Sequence, residues 1–143
     1  MQKCVVKNLK QTAVLAKKFA KTLVGGSVIL LSGELGAGKT TFTKSLFKAL
    51  GVKEEVTSPT FTLLKEYKTK KFELNHFDMY RIENENEALE FGVLDYFNNK
   101  NAINVVEWYQ KIDGLIPENY ILIKINKLGE FEREFEFYYN ENK

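Results

Sequence analysis

The residues with the clearest chemical potential form one short segment, the phosphate loop, in which residues 33–40 read GELGAGKT and match G-x-x-x-x-G-K-[ST]. In such a loop, successive backbone N–H groups point at phosphate oxygens, and glycine lets the backbone approach closely. The Lys39 amine then reaches the β- and γ-phosphates, and the Thr40 hydroxyl binds Mg²⁺. The pattern therefore predicts binding of a nucleoside triphosphate. The residues predicted to contact it are Glu34, Leu35, Gly36, Ala37, Gly38, Lys39, Thr40 and Thr41.

A site of this kind also needs an acid beside the metal ion, and Glu107 is the candidate. It follows the apolar run AINVV at residues 102–106, which reads as a buried strand. Ligands of open α/β sheets bind at the carboxyl ends of the parallel strands, where Glu107 would lie. We therefore predict that Glu107 binds Mg²⁺ and orients or deprotonates the attacking water.

Two further segments carry candidate catalytic groups. Thr60 lies in Ser58-Pro59-Thr60, within the connection that in phosphate-loop switches carries a hydroxyl sensing γ-phosphate and Mg²⁺. Asp78 leaves a predicted strand, and its carboxylate could hold Mg²⁺ through water or position Thr60. His76 lies in the same strand, and we expect it to be structural, as lone histidines at strand ends more often are.

An arginine interrupts the apolar face of the last predicted strand. Strict alternation places Phe131, Arg133, Phe135, Phe137 and Tyr139 on one face. An arginine there must reach solvent at an edge, pair with a carboxylate, or meet a ligand, and sequence alone leaves all three open. We predict that Arg133 contacts the nucleotide or a carboxylate of the site.

The helices and strands that must position these groups are predicted from the spacing of apolar residues and from the residues that begin and end each element. A strand at 27–31 precedes the phosphate loop, and a helix at 41–50 follows it and ends at Gly51. Asn8 and Asn84 are predicted N-caps of two more helices, which end at 25–26 and at Gly92. The other predicted strands are 3–7, 61–67, 72–77, 102–106, 121–125 and 131–139. This order predicts an α/β, phosphate-loop NTPase-like three-layer fold whose mixed sheet has a parallel core plus antiparallel strands.

Composition bounds the remaining possibilities. A length of 143 residues predicts a single domain over 1–143, and 44% hydrophobic residues are ordinary for a globular protein. The net charge of +2 gives no electrostatic case for nucleic acid or a membrane as the main partner. One cysteine, Cys4, excludes an internal disulfide, and the absence of a membrane-length apolar run or signal-peptide core predicts a cytoplasmic protein.

Four motifs together resemble a known family. In this order and spacing, GELGAGKTT, SPTFTL, HFDMYR and VVEW are similar to TsaE (also called YjeE), a small bacterial ATPase needed to make threonylcarbamoyladenosine in tRNA. The resemblance runs from the first helix through the last strand. It implies that Lys39 binds phosphate, that Thr40 and Glu107 handle Mg²⁺, and that Asp78 and Thr60 take part in hydrolysis.

The resemblance also implies partners. TsaB-like and TsaD-like proteins are expected, with ATP supporting repeated turnover of the modification complex and tRNA involved only indirectly. Two positions depart from the family pattern. A usual Gly-Arg pair reads Glu132-Arg133, and a usual proline after Glu-Trp is Tyr109.

Other functions of a phosphate-loop protein stay open. A small-molecule or nucleotide kinase needs an acceptor site, commonly clamped by several arginines, yet Arg81 and Arg133 are the two arginines here. A GTP-dependent switch usually has N/T-K-x-D, and the nearest match, NKLG at 126–129, lacks the carboxylate, which favours ATP. A nucleotide-dependent adaptor with little hydrolysis is the third alternative.

Overall fold

The fold is an α/β arrangement, described by a computed structural model over residues 1–34 and 36–140. The elements of the described residues, in chain order, are β1 (Gln2–Val6), α1 (Leu9–Ala20), β2 (Val28–Ser32), α2 (Lys39–Ala49), β3 (Leu64–Lys68), β4 (Glu73–Asp78), α3 (Glu85–Glu90), α4 (Val93–Phe97), β5 (Ala102–Glu107), a 3₁₀ helix (Tyr109–Leu115), β6 (Tyr120–Lys127) and β7 (Arg133–Asn140).

All seven of these strands join one mixed sheet in the order β1-β7-β6-β2-β5-β4-β3. Strands β6, β2, β5 and β4 run parallel to their neighbours in this core, whereas β1, β7 and β3 add antiparallel edges. The predicted mixed sheet is thus confirmed. Parallel strands have their carboxyl ends on the same side of a sheet. The last residues of β2, β5 and β4 therefore lie on one side.

Helices cover both faces of the sheet, which gives three layers. On one face, α1 and α2 contribute Phe19, Phe42 and Leu46 to a buried apolar cluster. On the other, α3 and α4 bring Ala88 and Val93 against the second cluster. Every residue of β5 and four of the five residues of β2 are buried, which explains why these two strands are mostly apolar and do not alternate.

The first helix begins as predicted and ends earlier. The Asn8 side chain accepts a hydrogen bond from the Gln11 N–H at 2.9 Å, and the Gln11 side chain accepts one from the Lys7 N–H at 2.8 Å. These bonds satisfy backbone donors at the start of the helix. The helix ends at Ala20, before the predicted 25–26, and the Thr22 hydroxyl donates to the Phe19 carbonyl.

Two predicted strands begin later than expected. The segment before β3 is a turn, in which the Leu63 N–H donates to the Pro59 carbonyl at 2.8 Å and Leu63 has a φ of 70°. Phe61 is therefore 84% exposed, and Phe131 before β7 is 67% exposed. Their apolar side chains extended the sequence pattern beyond the strands themselves. Helix α4 was not predicted, because five residues are too few to show a periodicity.

Candidate active site

The phosphate loop connects β2 to α2, and its backbone conformation requires glycine at two positions. Gly36 and Gly38 have φ angles of 81° and 107°, in the left-handed region that side chains rarely adopt. A Cβ at Gly33 would lie 2.7 Å from the Ile125 carbonyl oxygen of the neighbouring strand. The loop thus turns tightly and presents backbone N–H groups at the start of a helix, a geometry suited to anions. Leu35 lies outside the described residues.

Lys39 is the first residue of α2 and is 8% exposed. It forms no ion pair with any residue in the described part of the chain. Its Nζ lies instead 4.7 Å from the centroid of the Trp108 ring. Buried lysines are rare unless they are paired, and the face of an aromatic ring compensates a cation only partly. The site therefore contains a buried positive charge without an anionic partner among residues 1–34 and 36–140.

Glu107 ends β5 at the predicted place, 4% exposed at the carboxyl edge of the parallel core. In the sheet register it lies between Leu31 of β2 and Asp78 of β4. The following residue, Trp108, has a φ of 58° and directs its ring toward Lys39. The residue that follows the predicted metal-binding carboxylate thereby contacts the phosphate-loop lysine.

Asp78 and Thr60 meet directly. One Asp78 carboxylate oxygen accepts a hydrogen bond from the Thr60 hydroxyl at 3.1 Å, and the other accepts one from the Tyr80 N–H at 3.0 Å. The hydroxyls of Ser58 and Thr60 lie 2.7 Å apart. Of the two roles that the sequence leaves open for Asp78, this geometry matches the positioning of Thr60.

Sequence reasoning missed one residue of the site, His76. Its ring is fully buried, and its Nε2 lies 2.6 Å from a carboxylate oxygen of Glu107. The expectation of a structural histidine overlooked this contact. One signal was available, because His76 precedes Asp78 by two positions in β4 and so shares its face of the sheet.

Arg133 binds backbone carbonyls, and no carboxylate of the described residues, in this structure. Its Nε donates to the Ala37 carbonyl of the phosphate loop at 2.9 Å. One of its terminal nitrogens donates to three carbonyls of the β6–β7 turn, those of Gly129, Glu130 and Glu132, at 2.9–3.2 Å. The guanidinium therefore ties the phosphate loop to that turn, with no carboxylate of the described residues bound to it. The prediction of a nucleotide contact stays a prediction.

A cavity of about 170 Å³ adjoins the loop on the side of Thr41. It lies between the start of α1, the β6–β7 turn and the loop backbone, and it is partly apolar. The side chains that line it beyond the loop include Asn8, Leu9, Thr12, Phe131 and Phe135.

Two structural features are absent from residues 1–34 and 36–140. The described residues hold no group of three or more His, Cys, Asp or Glu arranged to bind a metal ion by themselves. Nor do they include a helix of sufficient length and apolar character to span a membrane.

The chain is similar to known proteins in both sequence and structure. The family model "Threonylcarbamoyl adenosine biosynthesis protein TsaE" matches residues 6–135. The TsaE protein of Bacillus subtilis is 42% identical over 130 residues, which cover 91% of this chain and 80% of that protein. That of Haemophilus influenzae is 39% identical over 115 residues, which cover 77% of this chain and 72% of the relative.

A solved structure agrees with the sequence comparison. The crystal structure of Bacillus subtilis YdiB superposes with a TM-score of 0.83 at 35% identity, covering 99% of this chain and 86% of YdiB. Fold and sequence thus match along nearly the whole chain, including the phosphate loop, β4 and β5. The chain belongs to the TsaE family of tRNA threonylcarbamoyladenosine biosynthesis proteins.

Proposed function

We propose that this protein is the Mg²⁺-dependent, ATP-binding and ATP-hydrolysing subunit that supports tRNA threonylcarbamoyladenosine modification in the cytoplasm, together with TsaB-like and TsaD-like proteins. The observation that carries the proposal is the buried Lys39, unpaired within the described part of the chain, at the N-terminus of α2. It follows two left-handed glycines, and its amine contacts Trp108, the residue after the acid that ends β5.

Phosphate binding follows from three features that act together. The loop N–H groups and the α2 N-terminus supply partial positive charge, and Lys39 supplies a full one. Binding a triphosphate would give the lysine the anionic partner that the described residues do not. The Nζ would then leave the Trp108 ring for the β- and γ-phosphates.

The residues present fit a magnesium ion. The Thr40 hydroxyl makes no hydrogen bond to another described group, and Glu107 keeps one carboxylate oxygen without such a bond. Mg²⁺ prefers oxygen ligands and usually takes one or two from the protein, with waters and substrate phosphates completing its shell. A site lacking three clustered protein ligands within the described residues is consistent with that habit. When bound, the ion would neutralise charge on the transferring phosphoryl group.

The direction of the phosphate loop supports one position for the nucleoside. Thr41 follows the Mg²⁺-binding threonine and borders the cavity of about 170 Å³, so this cavity is the candidate nucleoside site. We favour ATP over GTP. The nearest match to a guanine-reading motif begins at Asn126, whose amide donates to the Glu136 carboxylate across the β6–β7 pair at 2.9 Å. Its side chain is therefore engaged in the sheet.

Hydrolysis would use Glu107 to orient and deprotonate a water molecule in line with the γ-phosphate. Asp78 would hold Thr60 at the edge of the site through the bond described above. Both arginines of the chain are already engaged. Arg133 binds loop and turn carbonyls, and Arg81 stacks 4.7 Å above the Phe61 ring. Without a free arginine to stabilise the transition state, we expect slow hydrolysis until a partner completes the site.

The same scarcity of arginines argues against a kinase, whose acceptor site commonly needs several. Glu107 argues against an adaptor that binds nucleotide without hydrolysis, because such a protein would not require this acid. If an added phosphate acceptor changed the rate of ADP formation, the kinase hypothesis would gain support.

Arg133→Ala is expected to weaken ATP binding about tenfold, since the loop loses the charged hydrogen bond at the Ala37 carbonyl that fixes its shape. The protein should remain folded, because Arg133 is only partly buried. Calorimetric titration with ATP and Mg²⁺ measures the effect. Arg81→Ala removes the other arginine and should leave the affinity unchanged. Equal affinities in Arg133→Ala and the parent would show that the loop keeps its shape without this bond.

The proposed function is tested with purified TsaB-like and TsaD-like proteins. ATP should promote complex formation, the complex should hydrolyse ATP faster than the chain alone, and a nonhydrolysable analogue should allow assembly but stall turnover. Rapid hydrolysis by the isolated chain, unaffected by those proteins, would refute the partner-dependent account.

A further inference from the structure

We propose that His76 is a positioning residue, which holds the Glu107 carboxylate in its working orientation through a hydrogen bond from Nε2. The inference rests on the proposed role of Glu107 in hydrolysis. His76 itself does not approach the nucleotide in this account. It acts through Glu107 alone.

The sheet register explains how the two side chains meet. His76 of β4 pairs with Val105 of β5, and Asp78 pairs with Glu107 one step further along, so all four side chains share the face that α2 covers. Glu107 is the next residue after Val105 on this face of β5. The imidazole extends toward it, and Nε2 lies 2.6 Å from a Glu107 carboxylate oxygen.

This contact restrains the carboxylate directly. Among the residues that the structure describes, His76 is the only one that forms a hydrogen bond to the Glu107 side chain. An ionised carboxylate accepts hydrogen bonds and cannot donate them, so Nε2 is the donor whenever Glu107 is ionised. One oxygen of Glu107 is thus fixed while the other is left for metal or water. A glutamate without that bond could rotate about its side-chain torsions.

The second ring nitrogen shows that packing alone does not account for the histidine. Nδ1 is buried and has no hydrogen-bond partner within the described residues, while the ring packs edge-on against Phe47 of α2, 6.2 Å between centroids. Buried polar atoms are nearly always paired, because an unpaired one costs stability. An apolar side chain would fill this space without that cost. The contact of Nε2 with Glu107 is what a histidine provides here and an apolar side chain would not.

The test compares variants that keep or remove a donor at the Nε2 position. His76→Gln places an amide N–H near that position, His76→Asn carries the same amide one methylene short of Glu107, and His76→Met fills the space without a donor. In single-turnover ATP hydrolysis, with the chain in excess, we expect His76→Asn and His76→Met to be about 10–100-fold slower than the parent. ATP affinity should be unchanged, and His76→Gln should recover most of the rate.

A second comparison repeats the substitutions in a Glu107→Gln background. If His76 acts through Glu107, His76→Asn should slow this variant no further. Parent rates for His76→Asn and His76→Met alongside a slow Glu107→Gln would overturn the inference and leave the proposed function standing. A parent rate for Glu107→Gln would overturn the proposed function itself. Losses that multiply in the double variant, or a loss of ATP affinity equal to the loss of rate, would assign His76 a purely structural role.

Discussion

Replacing Glu107 with glutamine is expected to preserve ATP binding and to slow hydrolysis at least about 100-fold, the usual contribution of a general base. Glutamine keeps the size of the side chain while it removes the charge that binds metal and accepts the proton of water. The binding energy comes mainly from the phosphate loop and Lys39, on another element. Calorimetric titration with Mg²⁺ and ATP and a hydrolysis assay on the same sample separate the two effects.

The chain offers a matched control for this substitution. Glu73 begins β4, at the opposite edge of the sheet from Asp78 and Glu107, and its carboxylate accepts a hydrogen bond from Asn99. Glu73→Gln should hydrolyse ATP at the parent rate. If Glu107→Gln matched that rate too, Glu107 would not be the acid of the site.

Lys39→Ala is expected to reduce ATP affinity at least about 100-fold, since the site loses the full positive charge that faces the β- and γ-phosphates. Thermal stability without nucleotide should not fall greatly, because the change removes a buried cation that has no anionic partner in the described residues. Lys48→Ala, in the exposed last turn of the same helix, is the control and should bind ATP as the parent does.

Calorimetric titration with ATP and Mg²⁺ measures the affinity of each variant, and Trp108 emission gives a second signal in those that keep Lys39. In the parent, the Lys39 Nζ lies over the Trp108 ring at 4.7 Å, and its departure toward phosphate should change the tryptophan emission. Titration with ATP and Mg²⁺ should therefore give a saturable change in the parent and in Lys48→Ala. An ATP affinity of Lys39→Ala equal to that of the parent would place the main phosphate contact elsewhere.

Features encoded within short segments were predictable from the sequence. The turn at Gly36 and Gly38, the strand before it and the helix after it depend on neighbouring residues, and all three form as expected. Glu107 was predicted as the acid because it ends a mostly apolar run, which is typical of a central parallel strand.

Contacts between distant segments were harder to predict. The bond between His76 and Glu107 joins residues 31 apart and depends on the register of β4 with β5, which no local pattern specifies. For Arg133, alternation gave the correct face, but its bond to Ala37 spans 96 residues and needs the position of the phosphate loop relative to β7. In both cases the relative positions of distant segments in the fold determine the hydrogen-bond partner.

The positions at which strands begin were also hard to predict from the sequence. Phe61 and Phe131 are strongly apolar and continue the strand patterns, yet both lie outside the sheet and are exposed. The turn that places Phe61 outside depends on the left-handed conformation of Leu63, which a branched aliphatic residue does not signal.

The central claim is that this site hydrolyses ATP, and the most direct measurement is a single-turnover experiment with the purified chain in excess over radiolabelled ATP. We predict that the labelled ATP becomes ADP and phosphate in the presence of Mg²⁺, without any added acceptor, that chelation of Mg²⁺ prevents the conversion, and that Glu107→Gln slows it at least about 100-fold. ATP that stays bound and intact through many hours, or hydrolysis that proceeds equally without Mg²⁺ and in Glu107→Gln, would contradict the account.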